Sequence, residues 1–141
     1  PNREGIYGLK GRRKLSQEIV CLLDTSGSMW GEFEKVLETI NREGLVINLI
    51  YCDTEIKRVD KILDKKQLQK VDIAGGGGTE LQPGIDYATK NFPQLPIVVL
   101  TDGYCDRLNF NASKIPGLII STGIEVKIDG GKATNILLER K

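Results

Sequence analysis

Histidine is absent from this chain, and that absence removes a large share of protein chemistry at once. Without an imidazole there is no Ser-His-Asp or Cys-His nucleophile, no His-x-Glu deaminase pattern and no His-containing zinc site. Cysteine is scarce: Cys21, Cys52 and Cys105 are odd in number and widely spaced, which fits neither a disulfide framework nor a Cys-x-x-Cys metal site. They read as reduced thiols of a cytoplasmic protein, two of them in or beside buried strands. No apolar run approaches the roughly 18 residues of a transmembrane helix, so no membrane span is expected. Neither sign of charge dominates. Twenty Lys and Arg against nineteen Asp and Glu leave a net charge of +1, and no long-range field points to nucleic acid or to an acidic surface. The basic cluster Lys10, Arg12, Arg13 and Lys14 reads as a solvated entry strand. An initiator methionine is also missing. The chain opens Pro1-Asn2-Arg3-Glu4, as expected of a piece of a longer protein.

What is present describes an ordinary folded domain. The 141 residues, 40% hydrophobic and 28% charged, are expected to form a single domain over 1–141. A chain of that size buries roughly 68% of its unfolded surface, enough for a core without metal or disulfide staples. Residues 19–23 are a continuous apolar run that stops at Asp24, the pattern of a strand buried on both faces, with residues 9–15 as a lead-in strand. Phe33, Val36, Leu37 and Ile40 recur at helical spacing, and Gly44 supplies a stop. Residues 45–51 make a second buried strand. Cys52-Asp53-Thr54-Glu55 then turns it into a half-exposed antiparallel edge at 56–59, with Asp53 as a turn residue.

Residues 61–71 read as a charged connector. Gly75 to Gly78 and Thr79 precede a helix that carries Pro83 near its start and Ile85, Ala88 and Phe92 on one face. Buried strands follow at 97–100 and 118–121, and residues 124–138 read as a terminal hairpin around Asp129-Gly130-Gly131. Strands alternating with helices give the α/β class: a Rossmann-like open, mostly parallel sheet flanked by helices, with one antiparallel edge strand.

In such a sheet ligands bind outside the strand carboxyl ends, where the strand order reverses. Asp24, Asp102 and the glycine loop gather at that edge. Two carboxylates 4 Å apart at an effective dielectric near 20 repel by about 4 kcal/mol, so a cation is expected between them. Ser26, Ser28 and Thr79 add small hydroxyls, and hard oxygen ligands of this kind select Mg²⁺, Mn²⁺ or Ca²⁺ over zinc or copper. Each residue also has a structural explanation: Asp24 and Asp102 as strand-end turn formers, Ser26 or Ser28 as a helix N-cap, Thr79 with Gln82 as a capping box. Those explanations do not require three separated segments to meet at one edge.

Asp24-Thr25-Ser26-Gly27-Ser28, then Gly78-Thr79, then Thr101-Asp102-Gly103 resembles the metal-ion-dependent adhesion site of von Willebrand factor A (VWA) domains. Within that superfamily the chain looks most like the bacterial and phage VWA-like domains that follow a metallopeptidase-like region, over residues 15–121. The resemblance implies that Ser26, Ser28 and Thr79 coordinate the ion through hydroxyls while Asp24 and Asp102 hold its waters. One position is then open to a carboxylate from another protein. It also implies a binding module rather than an enzyme, with an AAA+ ATPase as the partner class. The segment after Tyr104 is shorter and more polar than the helix usual in such domains. Trp30, Glu32, Tyr104 and Arg107 follow the motif residues closely, and the two aromatics either pack over the loop or rim the ion and anchor a partner.

Two other functions compete. A Mg²⁺-dependent phosphohydrolase using Asp24 is the alternative, since a strand ending in aspartate opens many phosphoryl-transfer sites. Against it, Ser26 stands where a second aspartate is expected, and no lysine follows a phosphate-binding glycine loop. Nucleotide binding through Gly75 to Gly78 lacks both Gly-x-Gly-x-x-Gly and the P-loop pattern.

Overall fold

The computed structural model describes residues 17–25, 30–63 and 80–138, with residues 30–32 described by their backbone alone. The lead-in strand expected at 9–15, most of the 61–71 connector, the glycine run and Ser26, Ser28 and Thr79 lie outside the described residues. In chain order the elements are β1 (Glu18–Asp24), α1 (Trp30–Arg42), β2 (Val46–Cys52), β3 (Ile56–Ile62), α2 (Gln82–Asn91), β4 (Ile97–Thr101), β5 (Leu108–Asn109), β6 (Gly117–Ser121), β7 (Ile128–Gly130) and β8 (Ala133–Leu137).

Six strands form one sheet in the order β3-β2-β1-β4-β6-β8. Every pair in it is parallel except β2 with β3, which is antiparallel. This is the open, mostly parallel α/β sheet with one antiparallel edge that the residue pattern predicts. From β1 the chain moves outward to β2 and β3, then returns to the other side of β1 for β4. The strand order therefore reverses between β1 and β4, the place where sheets of this kind bind ligands.

Alternation of side chains divides the core in two. On one face Val20, Leu22, Ile50, Val99 and Ile119 are buried under Leu81, Ile85 and Ala88 at and within α2. On the other, Ile19, Cys21, Leu23, Ile47 and Leu49 are buried under Phe33 and Leu37 of α1, with Val36 and Ile40 partly covered. One helix on each face explains why the strands read as unbroken apolar runs. Helix α2 also comes unusually close to β1, because a Cβ on Gly84 would run into Cδ1 of Leu22.

Burial has a consequence for pH. Cys21 is fully buried, and desolvation pushes its thiol up from 9.0 to about 12. The unfolded chain therefore loses this proton at a lower pH than the folded one. The stability that the neutral thiol contributes is complete below pH 9.0 and is lost as pH rises toward 12. Urea midpoints are expected to fall over that interval, and to fall less steeply in Cys21→Ala.

The carboxyl-terminal part of the chain departs from the predicted hairpin. Strand β7 pairs in parallel with β5 in a separate two-stranded sheet, while β8 pairs in parallel with β6 at the edge of the main sheet. Phe110 N–H donates to Gly130 O at 2.8 Å and Gly117 N–H to Lys132 O at 3.0 Å. The backbones of β7 and β8 are thus spent on different neighbours and not on each other. A side chain supplies part of the missing pairing: Asn135 Oδ1 accepts from Val126 N–H at 3.0 Å, and Asn135 Nδ2 donates to Val126 O at 3.0 Å. Asn135→Ala leaves both backbone groups of the buried Val126 without these partners and is expected to cost about 1–3 kcal/mol, read from urea unfolding. No helix lies between β4 and β6 among the described residues, as the short polar segment after Tyr104 predicts.

Candidate functional site

Strand register sets a row of polar side chains across the carboxyl ends of four adjacent strands. Asp24 pairs with Cys52 across β1 and β2, and Thr101 pairs with Ser121 across β4 and β6. Leu23 pairs with Leu100, so one residue further on Asp24 stands beside Thr101. Across the sheet the row reads Cys52, Asp24, Thr101, Ser121, and it closes the core face that α2 covers.

Asp24 is only 7% exposed. Its Oδ2 accepts a hydrogen bond from Thr101 Oγ1 at 2.7 Å, and Thr101 Oγ1 itself accepts from Gly103 N–H at 3.1 Å. Asp102 follows the end of β4. Its Oδ1 accepts from Tyr104 N–H at 2.9 Å, and its carbonyl accepts from the N–H groups of Gly123 and Ile124, each at 3.0 Å. The loop after β4 is thereby fastened to the loop after β6, and both acidic residues lie on either side of the strand-order reversal.

Two thiols report the local field. Burial pushes Cys105 up to about 11, and the charges of Asp24, Asp102 and Asp106 add to the rise. Burial likewise raises Cys52 to about 11, with further rise from Asp53, Asp24 and Glu80. Carboxylates thus surround this edge from both sides. All three cysteines are free, as expected of reduced thiols.

Asp53 serves the turn after β2: its Oδ1 accepts from the N–H groups of Thr54 and Glu55, and its carbonyl accepts from Glu80 N–H. The capping box expected between Thr79 and Gln82 involves a residue outside the described ones, while the Gln82 amide reaches β5. Its Oε1 accepts from Asn109 N–H at 2.8 Å and its Nε2 donates to Asn109 O at 2.9 Å, which ties α2 to β5. The α2 N-cap is Leu81, without a side-chain cap.

Of the five predicted site residues, the structure brings Asp24 and Asp102 to neighbouring strand ends. Ser26, Ser28 and Thr79 lie outside the described residues. Tyr104 is 63% exposed and its ring lies against Gly123, so it stands at the rim. Arg107 Nη1 is 3.9 Å from Asp129 on the surface. Residue-by-residue reading passed over Thr101, although it precedes Asp102 in the quoted triplet. It also passed over the buried hydroxyls of Thr25, Ser121 and Thr122, which have no hydrogen-bond partner among the described residues. All three sit at strand carboxyl ends. Among the described residues no group of three or more His, Cys, Asp or Glu side chains could hold a metal.

The fold and this edge define an α/β domain of the VWA-like type, and comparison with known proteins agrees. The model of the VWA-like domain family (DUF2201) matches residues 19–134, and the chain belongs to that family. An uncharacterized protein of Thermotoga maritima is 33% identical over 111 residues, which are 75% of this chain and 28% of the Thermotoga protein. The chain therefore spans little more than a quarter of that relative's length. The crystal structure of the conserved hypothetical protein BatB from Bacteroides thetaiotaomicron is similar with a TM-score of 0.52 at 16% identity, covering 72% of this chain and 66% of BatB. At that identity the likeness is one of fold. VWA-like domains are typically protein-interaction modules. No helix among the described residues is long and apolar enough to cross a membrane.

Proposed function

We propose that this domain is a divalent-metal-dependent protein-binding module that takes a partner's Asp or Glu at the carboxyl edge of its sheet. The observation that supports the reading is the placement of Asp24 and Asp102 at the ends of β1 and β4, on either side of the strand-order reversal. The donor set fits a hard cation: a buried carboxylate, a second carboxylate on the adjoining loop and hydroxyls, with no imidazole in the chain. Ser26, Ser28 and Thr79 would hold Mg²⁺, or Mn²⁺ or Ca²⁺ in its place, through their hydroxyls. Asp24 and Asp102 would orient its bound waters. When bound, the ion would supply a Lewis-acidic position open to an incoming carboxylate.

The chain's own residues do the rest. Thr101 fixes Asp24, the Tyr104 amide fixes Asp102, and exposed Tyr104 offers a rim for an apolar neighbour of the partner's acid. The domain binds and does not catalyse. Its setting is cytoplasmic, as its few, widely spaced cysteines suggest, and its partner class is an AAA+ ATPase, taken from the resemblance in sequence.

The test is a calorimetric titration of Mg²⁺, Mn²⁺ and Ca²⁺ into metal-stripped protein, with hydrolysis of p-nitrophenyl phosphate measured on the same samples. Saturable binding without hydrolysis is expected. Hydrolysis that requires Asp24 would replace the binding reading with a phosphohydrolase, and a folded protein that takes up none of the three ions would remove the ion from it.

A further inference from the structure

Thr101 belongs to none of the ligand positions assigned above, yet its side chain ties β4 to the buried Asp24. It is fully buried, and its hydroxyl is used in both directions. Gly103 N–H donates to Oγ1 at 3.1 Å, and the hydroxyl proton is directed to Asp24 Oδ2 at 2.7 Å. A hydroxyl rotates freely in the open. Here the Gly103 amide occupies a lone pair of Oγ1, which leaves the proton aimed at the carboxylate. The bond to a charged acceptor is short and lies in a buried setting, where such bonds are strong. Its effect is to hold Asp24 in one rotamer and to join that rotamer to the loop bearing Asp102, since Gly103 is the next residue.

We infer that Thr101 is a positioning residue of the ion site, acting through Asp24 and coupling its carboxylate to the Asp102 loop; the inference rests on the metal-binding reading. Partners that orient the groups around an ion typically matter about 10–100-fold in metal affinity. A threonine here also differs from a packing residue in its requirements. An apolar residue of the same shape fills the space but leaves both Gly103 N–H and Asp24 Oδ2 without this partner.

The experiment titrates Mg²⁺ into the whole chain by calorimetry, for the wild type, Thr101→Val and Thr101→Ser, each checked for folding by urea unfolding. Thr101→Ser keeps the hydroxyl and is expected to bind within about threefold of wild type, whereas Thr101→Val is expected to bind about 10–100-fold more weakly. Should Thr101→Val fail to fold, Thr101→Ala removes the same hydroxyl without replacing its bulk and carries the same expectation. A purely structural role would lower the urea midpoint of the hydroxyl-free variant and leave its Mg²⁺ affinity at the wild-type value, which overturns the inference and leaves the ion reading standing. A folded wild type that does not bind Mg²⁺ overturns both.

Discussion

Asp24→Ala is expected to abolish the Mg²⁺-dependent stabilisation that the proposed ion site predicts for this domain. An ion that binds the folded state alone raises stability with concentration, by about 2.7 kcal/mol at one hundred times its dissociation constant. In wild-type protein the urea midpoint should therefore climb as Mg²⁺ is added, and in the folded variant it should stay flat. Asp24 is the residue whose loss says most. It is buried at the end of the central strand β1, it is held by Thr101, and its charge is felt by both Cys52 and Cys105. Without ions the variant also leaves the Thr101 hydroxyl without its acceptor, so its baseline stability should fall as well. The two effects separate cleanly, because only the slope against Mg²⁺ concentration reports the site. A variant whose midpoint climbs in parallel with wild type would place the ion elsewhere or make Asp24 dispensable to it.

Gly103→Ala is expected to lower stability by about 3–4 kcal/mol, from a left-handed backbone that costs an L-residue about 1–2 kcal/mol and from hydrogen bonds of about 1 kcal/mol each that the clash disturbs. Gly103 has φ +95, and a Cβ there would overlap the carbonyl oxygen of Ile124. That obstacle is main chain and cannot swing aside. Ile124 and Gly123 are themselves held by their N–H groups on the Asp102 carbonyl, each at 3.0 Å, so relief of the overlap pulls apart the junction of the two loops. Urea unfolding measures the loss, and a cost below about 1 kcal/mol would show that the junction yields without strain. Gly103 N–H also feeds the Thr101 hydroxyl, so the variant should weaken Mg²⁺ binding alongside its loss of stability.

Much of this molecule was legible before any coordinate. Residues 19–23 and 97–100 are apolar without alternation because each lies in a sheet with a helix on either face, and that requirement is written directly into residue type. The helix of Phe33 and Leu37, the helix behind Pro83 and the half-exposed edge beginning at Ile56 follow from spacing for the same reason: period and burial are local properties of the chain. The two acidic strand ends were legible too, since a carboxylate closing a buried strand stands out against its neighbours.

Other features depend on partners far apart in sequence, and only the tertiary structure decided them. The Asp129-Gly130-Gly131 stretch has the composition of a hairpin turn, but whether β7 pairs with β8 or with β5 depends on which strand edge stands open nearby. Nothing in residues 124–138 records that β6 offers its edge to β8 while Asn135 covers Val126. Nothing local to Gln82 records that Asn109, 27 residues away, presents a backbone N–H and C=O for its amide to bridge. Thr101 likewise reads only as the residue that precedes Asp102 in its triplet. Its role exists because parallel register sets it beside a carboxylate 77 residues earlier, a relation created by the pairing of β1 with β4 and carried by no local pattern.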